Sequence, residues 1–340
     1  MIKYKRNSNI ELLRIICMFL IVMHHYSVHG GVKDATPFNQ YLLDIMVIGA
    51  RMAINCFILI TGFFCISSQK SIKNKVIRLW IHRVFYSIVI SIVFVIIGQQ
   101  TISIKYTLSA LLPIIMCRHN FVTSFFMVYL SIPFLNKLLN ALSKKEFQLF
   151  LIYYTMIISL LPTILTPMKI FTSNTYSYLA WMVFIYCIGA YIKLYGLPLH
   201  KSRPFYMWLA AGGMLFLIVM TLWIEPKVSF LPKFYTSNTQ HSFFVLLISI
   251  CVFSCFLKSN VDNFVINYIS DSTFTVLLIH DDPLVRGVIW SKIFNCPQYG
   301  LSSYLWLHAF ITVFCIYFFC VFVDKIIKRL FLQRLWRSFL

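Results

Sequence analysis

Apolar runs of membrane-spanning length recur along almost the whole chain and constrain its fold more than any other feature. A transmembrane helix needs about 20 predominantly apolar residues. Ten segments approach or reach that length: 11–28, 45–67, 77–98, 120–136, 147–166, 177–195, 205–224, 240–257, 266–282 and 303–323. Hydrophobic residues make up 60% of the 340 residues and charged residues 12%, which is far more apolar than a soluble domain. The sequence therefore predicts an all-α integral membrane protein, a single-domain bundle of about ten transmembrane helices over residues 1–340.

One further apolar segment, 104–117, is too short for a full span. We interpret it either as a re-entrant segment or as an additional span. The predicted span 266–282 is also weak, because its apolar part is brief.

The basic residues predict the orientation of the bundle. Twenty of the 30 lysines and arginines flank the spans on one side and eight on the other, while Arg14 and Arg51 lie within spans. Basic residues concentrate in cytoplasmic loops, so we predict that both termini are cytoplasmic. This asymmetry also accounts for the net charge of +20. The expected surroundings are membrane lipid, and no nucleic-acid partner is expected.

The motifs of several soluble enzyme classes are missing from the sequence. It contains no GxxxxGK[ST] phosphate loop, no HExxH zinc pair and no GxSxG nucleophile turn. The ten cysteines are scattered, mostly inside apolar runs, without a Cys/His metal spacing. We therefore expect no metal. Ionisable groups within spans become the functional candidates, because a charge is costly in lipid.

The first span carries the most notable set of such groups. Glu11 and Arg14 are three residues apart, so they can pair on one helical face. Arg14 and His25 are eleven apart, which is three turns plus about 20°, so they share that face about 16 Å apart along the axis. His24 is rotated about 80° from Arg14. Two structural interpretations stay open: Arg14 could snorkel to one membrane surface, and His25 could meet interfacial water at the other.

Five stretches, taken in order, resemble the membrane-bound acyltransferase-3 family. The opening helix of that family has Arg or Lys, ten residues and then His, which Arg14 and His25 match, with Glu11 at the usual acidic position. The other stretches are CFILITGFF at 56–64, KNKVIRLWIHR at 73–83, YLSIPFLNKL at 129–138 and LLIHDDPLVRGVIW at 277–290. The resemblance covers nearly the whole chain and agrees with ten spans.

The resemblance implies an O-acyltransferase. Such proteins transfer an acyl group, usually acetyl, from acetyl-CoA to a sugar hydroxyl of a bacterial surface polysaccharide or of its lipid-linked precursor. We therefore expect acetyl-CoA as co-substrate and a multi-pass location in the bacterial cytoplasmic membrane. Some members carry an additional SGNH domain. None is expected here, because the chain ends soon after its last predicted span.

The resemblance also implies roles for particular residues. His25 would be the general base on the acceptor hydroxyl, or would carry the acetyl group transiently, and the sequence leaves both routes open. Arg14 would contact the donor, with Glu11 fixing its rotamer. Arg78 and Arg83 are expected to contact CoA, since guanidinium groups suit phosphates. The alternative for this basic stretch is a membrane anchor on the cytoplasmic side.

Two other classes of protein compete with the enzyme interpretation. A transporter or flippase of a lipid-linked or anionic substrate also needs many spans and buried charges, but it would favour paired halves with repeat character, and the sequence has no such repeat. A structural or assembly membrane protein would leave the charges of the first span without a purpose.

Overall fold

The fold is helical throughout the part of the chain that the computed structural model describes, namely residues 7–68, 72–165, 178–197, 204–224 and 241–332. No strand occurs in these ranges. The α-helices are α1 (Ser8–His29), α2 (Pro37–Cys65), α3 (Ile72–Ile96), α4 (Ile104–Leu111), α5 (Asn120–Ala141), α6 (Lys144–Thr155), α7 (Leu161–Leu165), α8 (Tyr178–Tyr195), α9 (Pro204–Ile224), α10 (Phe243–Lys258), α11 (Phe264–Ser270), α12 (Thr273–His280), α13 (Pro283–Val288) and α14 (Leu305–Ile327).

Helix is found within each of the ten predicted spans, of which residues 166, 177 and 240 lie outside the described ranges. Among the described residues, seven are long and apolar enough to cross a membrane: Ser8–His29, Pro37–Cys65, Ile72–Ile96, Asn120–Ala141, Lys144–Leu165, Tyr178–Tyr195 and Leu305–Leu330. The segments Pro204–Met220, Phe243–Lys258 and Phe264–His280 are shorter apolar helices. The all-α membrane architecture is confirmed, while the count of ten stays a prediction. So do the sides of the termini, whose basic residues at 1–6 and 333–340 lie outside the described residues.

Local sequence signals explain where several helices begin. Ser143 caps α6 and forms a capping box with Glu146, each side chain accepting from the other's backbone N–H. Thr36 caps α2, and Pro37 occupies its first turn, where the missing proline N–H costs nothing. The short segment predicted at 104–117 contains only the two-turn helix α4, which is too short to cross a membrane.

The packing of α1, α2 and α8 forms the middle of the bundle, with α2 between the other two. Two glycines let α2 and α8 approach closely. A Cβ atom on Gly62 would lie 2.2 Å from the carbonyl oxygen of Tyr186, and one on Gly189 would lie 2.3 Å from that of Leu59. Small residues at such crossings are typical of membrane helices, which gain stability from close backbone packing.

The late helices bring a polar turn against α1. The apolar segment Phe264–His280 is interrupted at Asp271 and Ser272, between α11 and α12. Helix α12 packs against α1, α3 and α14 and ends at His280. Asp282 then caps α13 by accepting a hydrogen bond from the Leu284 backbone N–H. The predicted span 266–282 was therefore two residues too long, because its two aspartates belong to the connection between α12 and α13.

Candidate functional site

A cavity of about 370 Å³ opens beside the first half of α1. Four cationic side chains line it, from α1, α3 and the turn after α14: Arg14, Lys75, Arg78 and Lys328. Its apolar walls are largely aromatic, from α2, α5 and α12: Phe57, Phe125, Tyr129 and Phe274. A cavity with cations at its rim and aromatic walls suits an anionic ligand with flat or apolar parts.

The four cations differ in how their charge is balanced. Arg14 pairs with Glu11 at 3.0 Å, which is the pair that the i,i+3 spacing predicts. Lys328 lies 2.8 Å from Asp324 and 3.0 Å from Asp271. By contrast, no ion pair to Arg78 is present within the described ranges, and Lys75 contacts only neutral groups there, the thiol of Cys65 and the hydroxyl of Ser68. Lys75 and Arg78 thus provide the positive charge available to a ligand.

Glu11 is held from two directions. Its Oε1 accepts from Arg14, and its Oε2 accepts a 2.6 Å hydrogen bond from the Ser270 hydroxyl at the end of α11. This carboxylate therefore fixes the Arg14 side chain at the cavity and ties α1 to α11.

His25 lies near the other end of α1, where it meets His280 of α12. His25 Nδ1 and His280 Nε2 are 2.8 Å apart, and His280 Nδ1 is 2.5 Å from the Val276 carbonyl oxygen. A carbonyl oxygen only accepts, so His280 Nδ1 carries the proton and His280 Nε2 is the acceptor. His25 Nδ1–H then donates to His280. This arrangement leaves Nε2 of His25 as a bare lone pair, the form that a general base needs.

Asp281 follows His280 and faces the same histidine. Its Oδ1 lies 3.7 Å from His25 Nδ1, 3.8 Å from His29 Nε2 and 3.5 Å from Arg286 Nη1. Burial raises the pKa of Asp281 to about 7, although the Arg286 guanidinium opposes the shift. A carboxylate here would balance the positive charge that His25 acquires when it takes a proton.

Three ligand atoms of this cluster, from His25, His29 and Asp281, lie within 4.8 Å of one another. This spacing alone would suit a divalent cation. However, Arg286 donates a 3.2 Å hydrogen bond to His29 Nε2, so a fixed positive charge already uses that lone pair. We assign no metal to the cluster.

Arg83 lies deeper than its sequence context suggested. The sequence groups it with Arg78 in the basic stretch 73–83, but α3 begins at Ile72, so Arg83 lies eleven residues or about 16 Å along the helix. Its side chain is 1% exposed. It does not line the cavity with Arg14 and Arg78. Instead it interacts electrostatically with Asp281 and Asp282, on the side of the bundle where His25 lies.

The Arg118 side chain is also buried. Its Nη2 donates to Asp282 at 2.9 Å, and its Nη1 donates to Ser87 and Ser91 of α3. The neighbouring His119 is 5% exposed. Burial, reinforced by Arg83 and Arg118, lowers the pKa of His119 well below its usual range.

A second buried network borders the cavity. Thr275 donates to Asp324 at 2.8 Å, so its hydroxyl oxygen accepts from His82 Nε2, also at 2.8 Å. Tyr86 donates to the same carboxylate at 2.6 Å. The network joins α3, α12 and α14 and fixes His82 in the cavity wall.

The structure thus divides the predicted residues between two regions. Glu11, Arg14 and Arg78 lie together at the cavity, whereas His25 and Arg83 lie in the deeper polar region. Four further groups there come from distant parts of the chain and were not among the predicted site residues: Arg118, His119, His280 and Asp281. The stretch LIHDDP was the available signal, since it ends an apolar helix with three ionisable residues.

Comparison with known proteins identifies the family. A family model described as an acyltransferase domain, that of the acyltransferase-3 family, matches residues 7–325. The searches of curated proteins and of solved structures each gave no significant match. The family match covers nearly the whole chain and includes both the cavity and the His25 region. The chain belongs to the acyltransferase-3 family and is a membrane acyltransferase.

Proposed function

We propose that this protein is an O-acetyltransferase that transfers acetyl from cytoplasmic acetyl-CoA to a sugar hydroxyl of a surface polysaccharide or of its lipid-linked precursor. One observation carries the proposal. Helix α1 connects the cationic cavity, at Arg14, to the His25–His280 pair about 16 Å further along the same helix. A binding site for an anionic donor and a general base are thus fixed on one rigid element.

The donor's chemistry fits the cavity. CoA has several phosphates at one end, an adenine ring beside them and a long, mostly uncharged arm that ends in the thioester. Lys75 and Arg78 would bind the phosphates by charge-assisted hydrogen bonds, and the aromatic walls would contact the adenine. The arm would extend past His82 in the cavity wall towards His25, so that the phosphates stay at the water-accessible rim.

The transfer step follows from the tautomer of His25. Its bare Nε2 accepts the proton of the acceptor hydroxyl while that oxygen attacks the thioester carbonyl carbon. The carbonyl electrons move to oxygen, and the tetrahedral intermediate then collapses with cleavage of the C–S bond. The thiolate leaves and recovers the proton from His25, giving an acetyl ester and free CoA. The Asp281 carboxylate stabilises the imidazolium in between. We favour this direct route over an acetyl-histidine, because the hydrogen bond to His280 already orients His25 as a base.

A radiolabel assay tests the proposal. Membrane vesicles from cells that make the protein receive [1-¹⁴C]acetyl-CoA together with the glycan-bearing membrane fraction of the host. We expect label in the glycan fraction, one CoA released for each acetyl transferred, and loss of the label on mild alkaline treatment, which cleaves esters. His25→Ala should lower the rate by about 10²–10⁴-fold, the usual contribution of a general base.

His24→Ala is the matched control, because His24 adjoins His25 in the chain but has no hydrogen bond to His280. It should retain most of the activity. The proposal fails if wild-type vesicles transfer no acetyl group, or if the two alanine variants behave alike. Movement of unmodified glycan across the vesicle membrane, without acetyl transfer, would favour the transporter instead.

A further inference from the structure

The terminal nitrogens of Arg83 are buried without partners. Neither Nη1 nor Nη2 has a hydrogen-bond partner among the residues that the structure describes, although the side chain is only 1% exposed. An arginine so deeply buried is costly unless its donors are used. The guanidinium therefore has free donors for a group that is not part of the protein.

The surroundings of Arg83 place this free guanidinium near the proposed reaction. Asp281 interacts electrostatically with Arg83 and also lies 3.7 Å from His25 Nδ1, so the arginine and the catalytic histidine share this carboxyl group as a neighbour. His119, close by, also has both ring nitrogens without hydrogen-bond partners in the described part of the chain. Arg83 and His119, the N-cap residue of α5, thus lie in one polar region, where His119 Nε2 is 3.8 Å from an Asp282 oxygen.

The net positive charge of the polar region around Arg83 matches a group with a single, transient negative charge better than it matches a phosphate. The other two arginines are already paired, Arg118 with Asp282 and Arg286 with Asp281. Arg83 therefore supplies about one uncompensated positive charge, beside two carboxyl groups that would repel a phosphate dianion. Arg83 is also distant from the cationic cavity, since it lies five residues, about 7.5 Å, further along α3 than Arg78, which lines that cavity.

From this geometry we infer that Arg83 is a catalytic residue that binds the thioester carbonyl oxygen and stabilises the oxyanion formed from it. The inference rests on the proposed acetyl transfer. In that step Arg83 donates two hydrogen bonds to the oxygen that receives the carbonyl electrons, while His25 holds the proton of the acceptor. When the C–S bond breaks, the oxygen becomes a neutral carbonyl again and Arg83 releases the ester. The role replaces the phosphate contact that the sequence suggested for this residue.

The test separates binding of CoA from the chemical step. The full-length protein in nanodiscs is titrated with [³H]CoA, which gives both the dissociation constant and the number of binding sites. Thiol release from saturating acetyl-CoA is then measured with the glycan-bearing host membrane fraction and expressed per CoA-binding site, so that unfolded protein does not count. Arg83→Gln should lower this rate by about 10²–10³-fold, the loss typical of one oxyanion donor, with the CoA dissociation constant unchanged. Arg83→Lys, which keeps the charge but loses the bidentate geometry, should fall between.

Two comparison variants make the outcome decisive. Arg78→Gln should weaken CoA binding and change the rate per site far less than Arg83→Gln does. Lys137→Gln removes an exposed cation that does not line the cavity and should change neither quantity. The inference is overturned if Arg83→Gln weakens CoA binding as much as Arg78→Gln, which would make Arg83 a phosphate contact. It is equally overturned if the rate per CoA-binding site stays near that of the wild type, which would make the role purely structural. A wild-type protein that binds CoA without transferring acetyl would instead refute the proposed function.

Discussion

Replacing His280 tests the tautomer argument most directly. His280→Leu removes the acceptor that lies 2.8 Å from His25 Nδ1, and Asp281 at 3.7 Å is too distant to replace it as a hydrogen-bond acceptor. A buried N–H without a partner costs about 1–3 kcal/mol, which equals about 5–150-fold in rate. Alternatively, His25 moves its proton from Nδ1 to Nε2. The lone pair that would take the proton of the sugar hydroxyl is then lost, and with it the general-base contribution of about 10²–10⁴-fold.

We therefore expect the rate per CoA-binding site to fall by about 10²–10⁴-fold in His280→Leu, with unchanged CoA binding, because His280 does not line the cavity. His280→Gln keeps an acceptor oxygen within reach of His25 and should retain about tenfold more activity than the leucine variant. The assay is acetyl transfer in nanodiscs, with [³H]CoA to count sites. A leucine variant as active as wild type, or a glutamine variant as inactive as leucine, would refute the reasoning.

Three further predictions concern packing, charge and pH. Gly62→Ala places a Cβ 2.2 Å from the Tyr186 carbonyl oxygen and should destabilise the bundle by about 1–3 kcal/mol, seen as a lower melting temperature in detergent, whereas Gly213→Ala, with open space around its Cβ, should not. Arg78→Gln should weaken CoA binding and flatten its salt dependence, since salt screens an exposed cation; an unchanged salt dependence would contradict this. Because the pKa of Asp281 is raised from 3.8 to about 7 by burial, the folded protein keeps a proton that the unfolded chain releases, so stability should fall as the pH rises from about 4 to about 7. Asp281→Asn should remove that slope in melting temperature, and a slope identical to that of the wild type would contradict the assignment.

The sequence predicts best what depends on neighbouring residues. The Glu11–Arg14 pair follows from i,i+3 spacing, and the helical segments follow from the length of apolar runs, so both are found as expected. The partner of His25 is 255 residues away, and only the packing of α12 against α1 brings it close. No periodicity within one helix contains that information.

Arg83 illustrates a different limit of sequence reasoning. Its position after four other basic residues made it resemble part of a cytoplasmic flank. The predicted span began at residue 77, which put Arg83 within two helical turns of the basic end of the span. Because the helix in fact begins at Ile72, Arg83 lies inside the bundle. Its guanidinium is therefore buried, and not solvated at the membrane surface.

The excess of basic residues on one side allows two explanations, orientation of the protein and recognition of an anion, and under the proposed function different residues serve each. Lys137, Lys144 and Lys145 are exposed and lie outside the cavity, as expected of residues that only orient helices. Lys75 and Arg78 line the cavity with apolar walls beside them, which a purely orienting charge does not need. Under the proposed function the two uses reinforce each other, because CoA is cytoplasmic and the positive-inside rule concentrates cations on that same side. The charges that orient the bundle then also attract the anionic donor to its cavity.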